Sequence, residues 1–165
     1  NMTINDDHGE LPLIYLIGSL GNPRVPVVAG QLRELGYRVF DDWYAAGPHA
    51  DEHWRDYERA RGRDMLEALV APAAQHNLTF DRSWLDRAGA GVLLLPAGKS
   101  GHLELAYLAW SRRVPTYVVF EHGFEAEKWD LMYGLLPTTF VPTVPDLITE
   151  MKRRADASYH TIRPD

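Results

Sequence analysis

The chain has 165 residues, of which 45% are hydrophobic and 24% are charged, a composition typical of one folded domain rather than of a disordered chain. The net charge of −6 argues against a nucleic-acid polymer as partner, because such binding depends on Lys and Arg neutralising phosphates. Cysteine is absent, which excludes disulfides, thiolate metal ligands and thiol nucleophiles. Since the apolar runs are far shorter than the roughly 20 residues of a membrane span, we expect a soluble protein with a cytoplasmic location and no membrane partner.

The hydrophobic pattern predicts strands that alternate with helices along the chain. Short apolar runs that end at glycine, proline or aspartate favour buried strands, and apolar residues three or four apart favour helices. The predicted strands span residues 11–17, 37–40, 90–95, 115–120 and 138–141. The predicted helices are one that ends at Gly36, a long one over 51–70 that Gly62 could break, a short one capped by Asn77 or Thr79 and ending near Leu85, and two more over 103–110 and 144–154.

Five strands alternating with helices predict an α/β protein with a flavodoxin-like, doubly wound parallel sheet covered by helices on both faces. We expect a single domain over residues 1–165, with tails at 1–10 and 155–165 that are flexible or contact another subunit. Ligands of such sheets bind beyond the carboxyl ends of the strands. The loops to examine therefore begin at Gly18, Asp41, Pro96 and Glu121.

The loop after the third predicted strand, residues 96–101, leads into a helix whose free backbone N–H groups favour an anion. It is not an ATPase loop, because G-x-x-x-x-G-K-[ST] would need glycine where Leu93 stands. It is not a serine-hydrolase elbow either, because His102 replaces the last glycine of G-x-S-x-G. Glu104 is predicted to lie in the first turn of the helix that follows.

Two carboxylates make glycosidic bond cleavage a candidate reaction. That reaction needs one ionised carboxylate at the anomeric carbon and a second, protonated group to assist the leaving atom. Glu104 suits the first task if the helix N-terminus keeps it charged, and Asp81, predicted near the start of the short helix, suits the second. The residues alone leave open that Glu104 merely favours its helix end and that Asp81 merely caps.

Four segments in this order and spacing resemble the nucleoside 2-deoxyribosyltransferase-like family, which includes deoxyribosyltransferases and nucleoside 5′-monophosphate N-glycosidases. They are IYLIGS at 14–19, FDDW at 40–43, LPAGKSGHLELAY at 95–107 and DLMY at 130–133. The resemblance implies that Glu104 is the nucleophile that bonds to the anomeric carbon, that Tyr15 holds this carboxylate, and that Asp81 protonates the departing base. A second base as acceptor gives transfer and water gives hydrolysis, with no cofactor or metal in either case.

The resemblance also implies a substrate-binding set: Gly18, Ser19, Asp42, Trp43, Gly98, Lys99, Ser100, Asp130 and Met132. Gly98 stands where deoxyribosyltransferases carry an aspartate that helps to hold the base, so base binding is expected to differ. Gly89 also replaces a family aspartate, but at the far end of the strand from the cleft, where we expect a structural effect. Trp43 is either a stacking surface for the base or an aromatic ring that packs its loop against the sheet.

Nucleoside and nucleotide substrates remain alternatives at this stage. Ser19, Lys99 and Ser100 could bind a 5′-phosphate, whereas a carboxylate such as Asp130 about 4 Å from that charge would cost roughly 1 to 4 kcal/mol. We favour a free 5′-hydroxyl, unless Lys99 or Arg24 neutralises the site. The family position of Asp130 comes from a neighbouring subunit, which implies a homo-oligomer with shared active sites. A nucleotide-binding module without turnover is the rival of another class.

Overall fold

A computed structural model describes the backbone of residues 11–162 and the side chains of residues 11–159. Five parallel strands form one sheet in the order β2-β1-β3-β4-β5, which is the order of a flavodoxin-like α/β fold. The strands are β1 Ile14–Ile17, β2 Val39–Phe40, β3 Ala90–Leu95, β4 Thr116–Phe120 and β5 Thr139–Val141. The helices are α1 Arg24–Glu34, α2 Ala50–Ala60, α3 Met65–Leu69, α4 Pro72–Leu85, α5 Lys99–Ala106 and α6 Val144–Ile162.

The sheet has a hydrophobic core on each face, because successive side chains of a strand point to opposite sides. Ile14 and Leu16 of β1 pack with apolar residues of α1 and α6. Tyr15 and Ile17 point the other way and pack with Leu85 at the end of α4 and with apolar residues of α5. The α4 and α5 face therefore carries Tyr15, and it is the face on which the candidate site is built.

Two predicted helices between β2 and β3 have different boundaries in the structure. The helix predicted over 51–70 is two helices, α2 and α3, separated at Gly62, whose φ of +75° is readily adopted only by glycine. The helix predicted to be capped by Asn77 or Thr79 begins at Pro72, because proline lacks the N–H that a first helical residue leaves unpaired. Asp81 therefore lies in the second half of α4, and its predicted position near a helix start was wrong.

Helix α5 begins four residues earlier than predicted. Gly98 is its N-terminal cap and Lys99 its first residue, so residues 99–101 are helical and Glu104 lies in the second turn rather than the first. Gly101 permits this close approach to the sheet, because a Cβ atom there would lie 2.9 Å from Ile17 Cγ2. The helix continues into a π-helical segment, Tyr107–Arg112.

The ends of the chain were only partly predicted. Helix α6 runs to Ile162, so residues 155–162 are helical rather than a loose tail, and Ala155 still packs against the core. The predicted tail at residues 1–10 and the last three residues of the predicted tail, 163–165, lie outside the described residues. Within residues 11–162, no helix is long and apolar enough to cross a bilayer.

Candidate functional site

Tyr15 and Glu104 meet between β1 and α5. Tyr15 is 1% exposed, and its hydroxyl donates a hydrogen bond to the Glu104 carboxylate. β1 is bordered on both sides by hydrogen-bonded strands, which fixes the Tyr15 backbone within the sheet. One oxygen of Glu104, Oε2, is buried and has no hydrogen-bond partner among the described residues. The carboxylate is thus held by one group while one of its oxygens is left without a partner.

The pKa of Glu104 is raised to about 7. Burial is the largest cause because it disfavours the charged form, and the negative charge of Asp81 adds to the increase, whereas the Tyr15 hydrogen bond opposes it. The sequence placed Glu104 in the first turn, where a helix N-terminus would favour the ionised form. It lies in the second turn instead, and burial against the sheet is the larger effect on its pKa.

Asp81 in α4 brings a second carboxyl group to the face of the sheet that carries Glu104. Its charge acts on both Glu104 and Tyr15, and burial raises the pKa of Asp81 itself. Three elements, β1, α4 and α5, therefore place Tyr15, Asp81 and Glu104 in one electrostatically coupled group. Paired carboxyl groups with raised pKa values can divide the roles of nucleophile and proton donor.

An aromatic cluster adjoins this group, and the sequence reasoning did not identify it. The Phe40 ring lies 5.1 Å from Tyr15, stacks on Trp84 at 4.6 Å and meets Phe80 edge-on at 5.9 Å, all between ring centroids. Phe80 is 45% exposed and precedes Asp81 in α4. The four-residue spacing of Phe80 and Trp84 around Asp81 was a signal that could have revealed the cluster, since such residues share a helix face.

The predicted residue Gly18 lies in the loop after β1, and Asp42 and Trp43 lie in a 3-10 helix after β2, Asp42–Ala46. Trp43 donates a hydrogen bond from Nε1 to the Leu16 carbonyl at 2.8 Å, and it packs against both cores. Gly18 sits beside this ring, since its Cβ would lie 3.8 Å from Trp43 Cη2. Asp42 is exposed. These contacts agree with the packing alternative for Trp43, while a stacking role stays a prediction.

The turn after β1 contains Ser19 and is tied to the end of β4. Ser19 Oγ accepts from the Gly21 N–H at 3.2 Å, and the Ser19 carbonyl accepts from the Asn22 N–H at 3.0 Å. The Asn22 amide in turn donates to Glu121, which also accepts from Arg24. Ser19 therefore belongs to a hydrogen-bonded loop at the carboxyl edge of the sheet.

Three of the predicted substrate-binding residues lie at the start of α5 and are exposed: Gly98, Lys99 and Ser100. A Cβ atom at Gly98 would have no neighbour within 4 Å, so the missing side chain leaves open space. His102 bridges this helix start to a later segment, with Nδ1 2.9 Å from the Gly98 carbonyl and Nε2 3.1 Å from the Tyr133 hydroxyl.

Asp130 and Met132 lie in a different place, around a 3-10 helix at Leu131–Leu135. Asp130 caps this helix by accepting from the Met132 N–H at 2.9 Å. Two cavities of about 520 and 500 Å³ adjoin the segment and include Asp130 and Tyr133 in their walls. Neither is walled by Tyr15, Asp81 or Glu104, so within one chain these cavities are separate from the carboxylate group.

Gly89 lies immediately before β3, next to the segment that enters β1. A Cβ atom at Gly89 would lie 2.7 Å from Pro12 Cβ, so the position is crowded by the chain that enters β1 and lies away from the cleft, as the sequence predicted.

Among the residues that the structure describes, no group of three or more His, Asp or Glu side chains is arranged to hold a metal ion.

Comparison with known proteins supports the fold. No protein-family model matches the chain, and no curated protein matches it. A crystal structure of a conserved protein from Enterococcus faecalis is similar, with a TM-score of 0.55 and 14% sequence identity, over 87% of this chain and 99% of that one. At this identity the likeness concerns the arrangement of the backbone alone.

Proposed function

We propose that this protein cleaves the N-glycosidic bond of a (deoxy)nucleoside through a covalent bond between Glu104 and the sugar. The observation that carries the proposal is the group formed by Tyr15, Asp81 and Glu104, in which a buried carboxylate keeps one oxygen unpartnered. The sequence resemblance to nucleoside 2-deoxyribosyltransferase-like proteins supports the same three roles. The proposal rests on this agreement between chemistry and geometry.

In the first step, a carboxylate oxygen of Glu104 attacks the anomeric carbon of the sugar. The bond from that carbon to the base nitrogen breaks, and its electron pair goes to the base while the Asp81 carboxyl group donates a proton to it. In the second step, an acceptor attacks the same carbon and the bond to Glu104 breaks. The acceptor's proton returns to Asp81, so both carboxyl groups recover their starting forms.

Tyr15 positions the nucleophile and favours its ionised form. Its hydrogen bond lowers the pKa of Glu104 against the effects of burial and of Asp81. Without this bond a smaller fraction of Glu104 would be ionised at neutral pH. Tyr15 therefore acts through Glu104, as a positioning residue.

The departing base is proposed to lie against Phe80. This ring precedes the proposed proton donor Asp81, is 45% exposed, and rests on Phe40, which contacts Tyr15. A planar base gains stacking energy on such a ring. This position would place the base nitrogen within reach of the Asp81 carboxyl group.

Two alternatives have specific support. Exposed Lys99 and Ser100 at the start of α5 favour a nucleoside 5′-monophosphate N-glycosidase, because a helix start and a cation attract a phosphate. A nucleotide-binding module without turnover is favoured by glycine at 89 and 98, where the family has aspartate. Transfer and hydrolysis share the first step and differ only in the acceptor.

We propose a homo-oligomer in which the segment around Asp130 contacts a second copy. Its large apolar side chains are strongly exposed, with Trp129 at 83% and Leu131 at 93%, and such clusters mark interaction surfaces. Sedimentation of a Trp129→Ser, Leu131→Ser variant, compared with wild type, tests this: an unchanged mass would contradict it.

We propose a cytoplasmic location for this activity. A protein free of cysteine needs no oxidising environment.

The test of function is chromatography of bases released or exchanged from deoxynucleosides and their monophosphates, with and without a second base. Glu104→Gln is expected to abolish turnover, and the intact protein with an arabino-type 2-fluoro nucleoside should gain one glycosyl mass by mass spectrometry. Glu58→Gln is the matched control, since Glu58 is a buried glutamate (1% exposed) that lies in α2 and pairs with Arg63, which follows that helix. Turnover that survives in Glu104→Gln would contradict the mechanism.

A further inference from the structure

Arg24 and Glu121 form an ion pair at the carboxyl edge of the sheet. Arg24 Nε lies 2.7 Å from Glu121 Oε1, and the Asn22 amide donates to the other carboxylate oxygen at 3.4 Å. The Glu121 side chain is only 8% exposed, whereas that of Arg24 is 44% exposed. The carboxylate is therefore held in place from two sides, and the guanidinium remains open to solvent.

The strand order places this pair across the ligand crevice. Asn22 and Arg24 follow β1, Glu121 follows β4, and β3 lies between these two strands. The pair must therefore pass over the carboxyl end of β3. In a doubly wound sheet the crevice lies where the chain reverses direction, here between β1 and β3. The Ser19 turn, which shares Asn22 with the pair, lines the same crevice.

The charge of Glu121 determines what Arg24 can attract. A free arginine at this edge would recognise a phosphate through paired N–H donors. Glu121 already accepts from Arg24 Nε and neutralises its charge, and its own negative charge would repel a phosphate brought close to the pair. Lys99 and Arg24 are the two cations that could favour a substrate with a 5′-phosphate by neutralising the site. Arg24 is already paired with Glu121.

We propose that Glu121 is a specificity-determining residue that disfavours substrates with a 5′-phosphate and so selects nucleosides with a free 5′-hydroxyl. The proposal rests on the proposed function for its reaction, but its binding preference can be measured without turnover. Removing the charge of Glu121 while keeping its shape should convert Arg24 into a phosphate-binding group.

The test compares Glu121→Gln with Asp41→Asn. Asp41 pairs with Arg33 Nη2 at the same 2.7 Å, with side-chain exposures of 13% and 46%, but at the end of the outer strand β2. Each change keeps a hydrogen-bonding side chain and frees one arginine. Calorimetric titration with a deoxynucleoside and with its 5′-monophosphate, on the Glu104→Gln background, measures both affinities with no chemistry taking place.

Glu121→Gln should improve monophosphate affinity relative to nucleoside affinity by about tenfold, whereas Asp41→Asn should leave the ratio unchanged. Adding Arg24→Gln to Glu121→Gln should remove the gain, which identifies Arg24 as the group released. An unchanged ratio in folded Glu121→Gln, or an equal change in Asp41→Asn, overturns the proposal. Absence of turnover in the wild-type protein would defeat the proposed function instead, and the affinity ratios would still decide the role of Glu121.

Discussion

The hydroxyl of Tyr15, from the middle of β1, donates a hydrogen bond to the carboxylate of Glu104, in the second turn of α5. The two residues are 89 positions apart, and they meet because Gly101 lets α5 approach the sheet. This bond lowers the pKa of Glu104, while burial and Asp81 raise it. The ionisation of Glu104 near neutral pH therefore depends on the balance of these three effects.

Tyr15→Phe is expected to move the acidic limb of the rate profile to higher pH. The change removes a hydrogen bond to a charged group, worth about 1.5 to 3 kcal/mol, which corresponds to a pKa increase of about one to two units. The profile of kcat/KM against pH measures it. Tyr37→Phe is the control, because Tyr37 is also buried and donates to the Met151 carbonyl in the other core. An unmoved limb in Tyr15→Phe would show that the bond does not set the ionisation of Glu104.

Asp81→Asn should remove the proposed proton donor, because an amide side chain cannot protonate the departing base. The alkaline limb, which reports loss of the proton donor, should disappear, and kcat should fall about 10²- to 10⁴-fold for bases that need protonation. A profile with both limbs intact in Asp81→Asn would exclude Asp81 as the donor.

Glu104→Gln should stabilise the folded protein at alkaline pH. The folded pKa of about 7 lies above the ordinary value of 4.5, so the protonated form favours folding below pH 4.5 and this contribution is lost as the pH rises through 7. Glutamine should therefore raise the free energy of unfolding by about 3 kcal/mol at pH 8 and change it little at pH 4. Urea unfolding at both pH values measures this. A loss of stability at pH 8 would contradict the burial of an ionisable Glu104.

Phe80→Leu should weaken binding of the base. Stacking of a base on an aromatic ring contributes about 1 to 3 kcal/mol, which predicts roughly a 5- to 150-fold rise in the dissociation constant of a free base. Titration calorimetry measures the constant. Tyr57→Leu serves as the control, since its ring is 51% exposed but lies on α2. Equal affinities for Phe80→Leu and wild type would remove Phe80 from the base-binding surface.

Two glycine substitutions should separate a tolerant position from a crowded one. Gly98→Asp meets open space at the cap of α5, where aspartate is favoured, so stability should be kept within a few tenths of a kcal/mol. The new acceptor should tighten base binding roughly 2- to 12-fold through one hydrogen bond. Gly89→Asp would clash with Pro12 and should cost about 1 to 3 kcal/mol. Thermal unfolding and base titration distinguish these outcomes.

The sheet and its strand order were largely predictable from the sequence, because buried strands such as Ala90–Leu95 are unbroken apolar runs between turn residues. Helix starts were less predictable. Glycine at 98 and 101 is typical of a turn, yet here one caps α5 and the other packs it against Ile17. Pro72 can end one helix or begin the next, and only the packing of α4 decides between them.

The candidate site was likewise predictable only in part. Sequence resemblance pointed to Tyr15, Asp81 and Glu104, but it could not reveal that burial raises the pKa of Glu104, since burial depends on how α5 sits on the sheet. The pair of Arg24 and Glu121 joins residues 97 positions apart. No local pattern indicates such a contact, because it arises from the order in which β1, β3 and β4 lie side by side.

Because Tyr15 belongs to an inner strand, the proposed reactive centre and the substrate preference depend on different parts of the chain. Evolution and protein engineering often find these two properties hard to change independently. Tyr15, which positions the proposed nucleophile, is held in an inner strand, whereas the turn at Ser19, the start of α5 and the segment around Asp130 lie outside the sheet. New substrate preferences can therefore be selected by varying these three segments while the reactive centre stays intact. Libraries confined to them should retain folded, reactive variants more often than libraries that include β1.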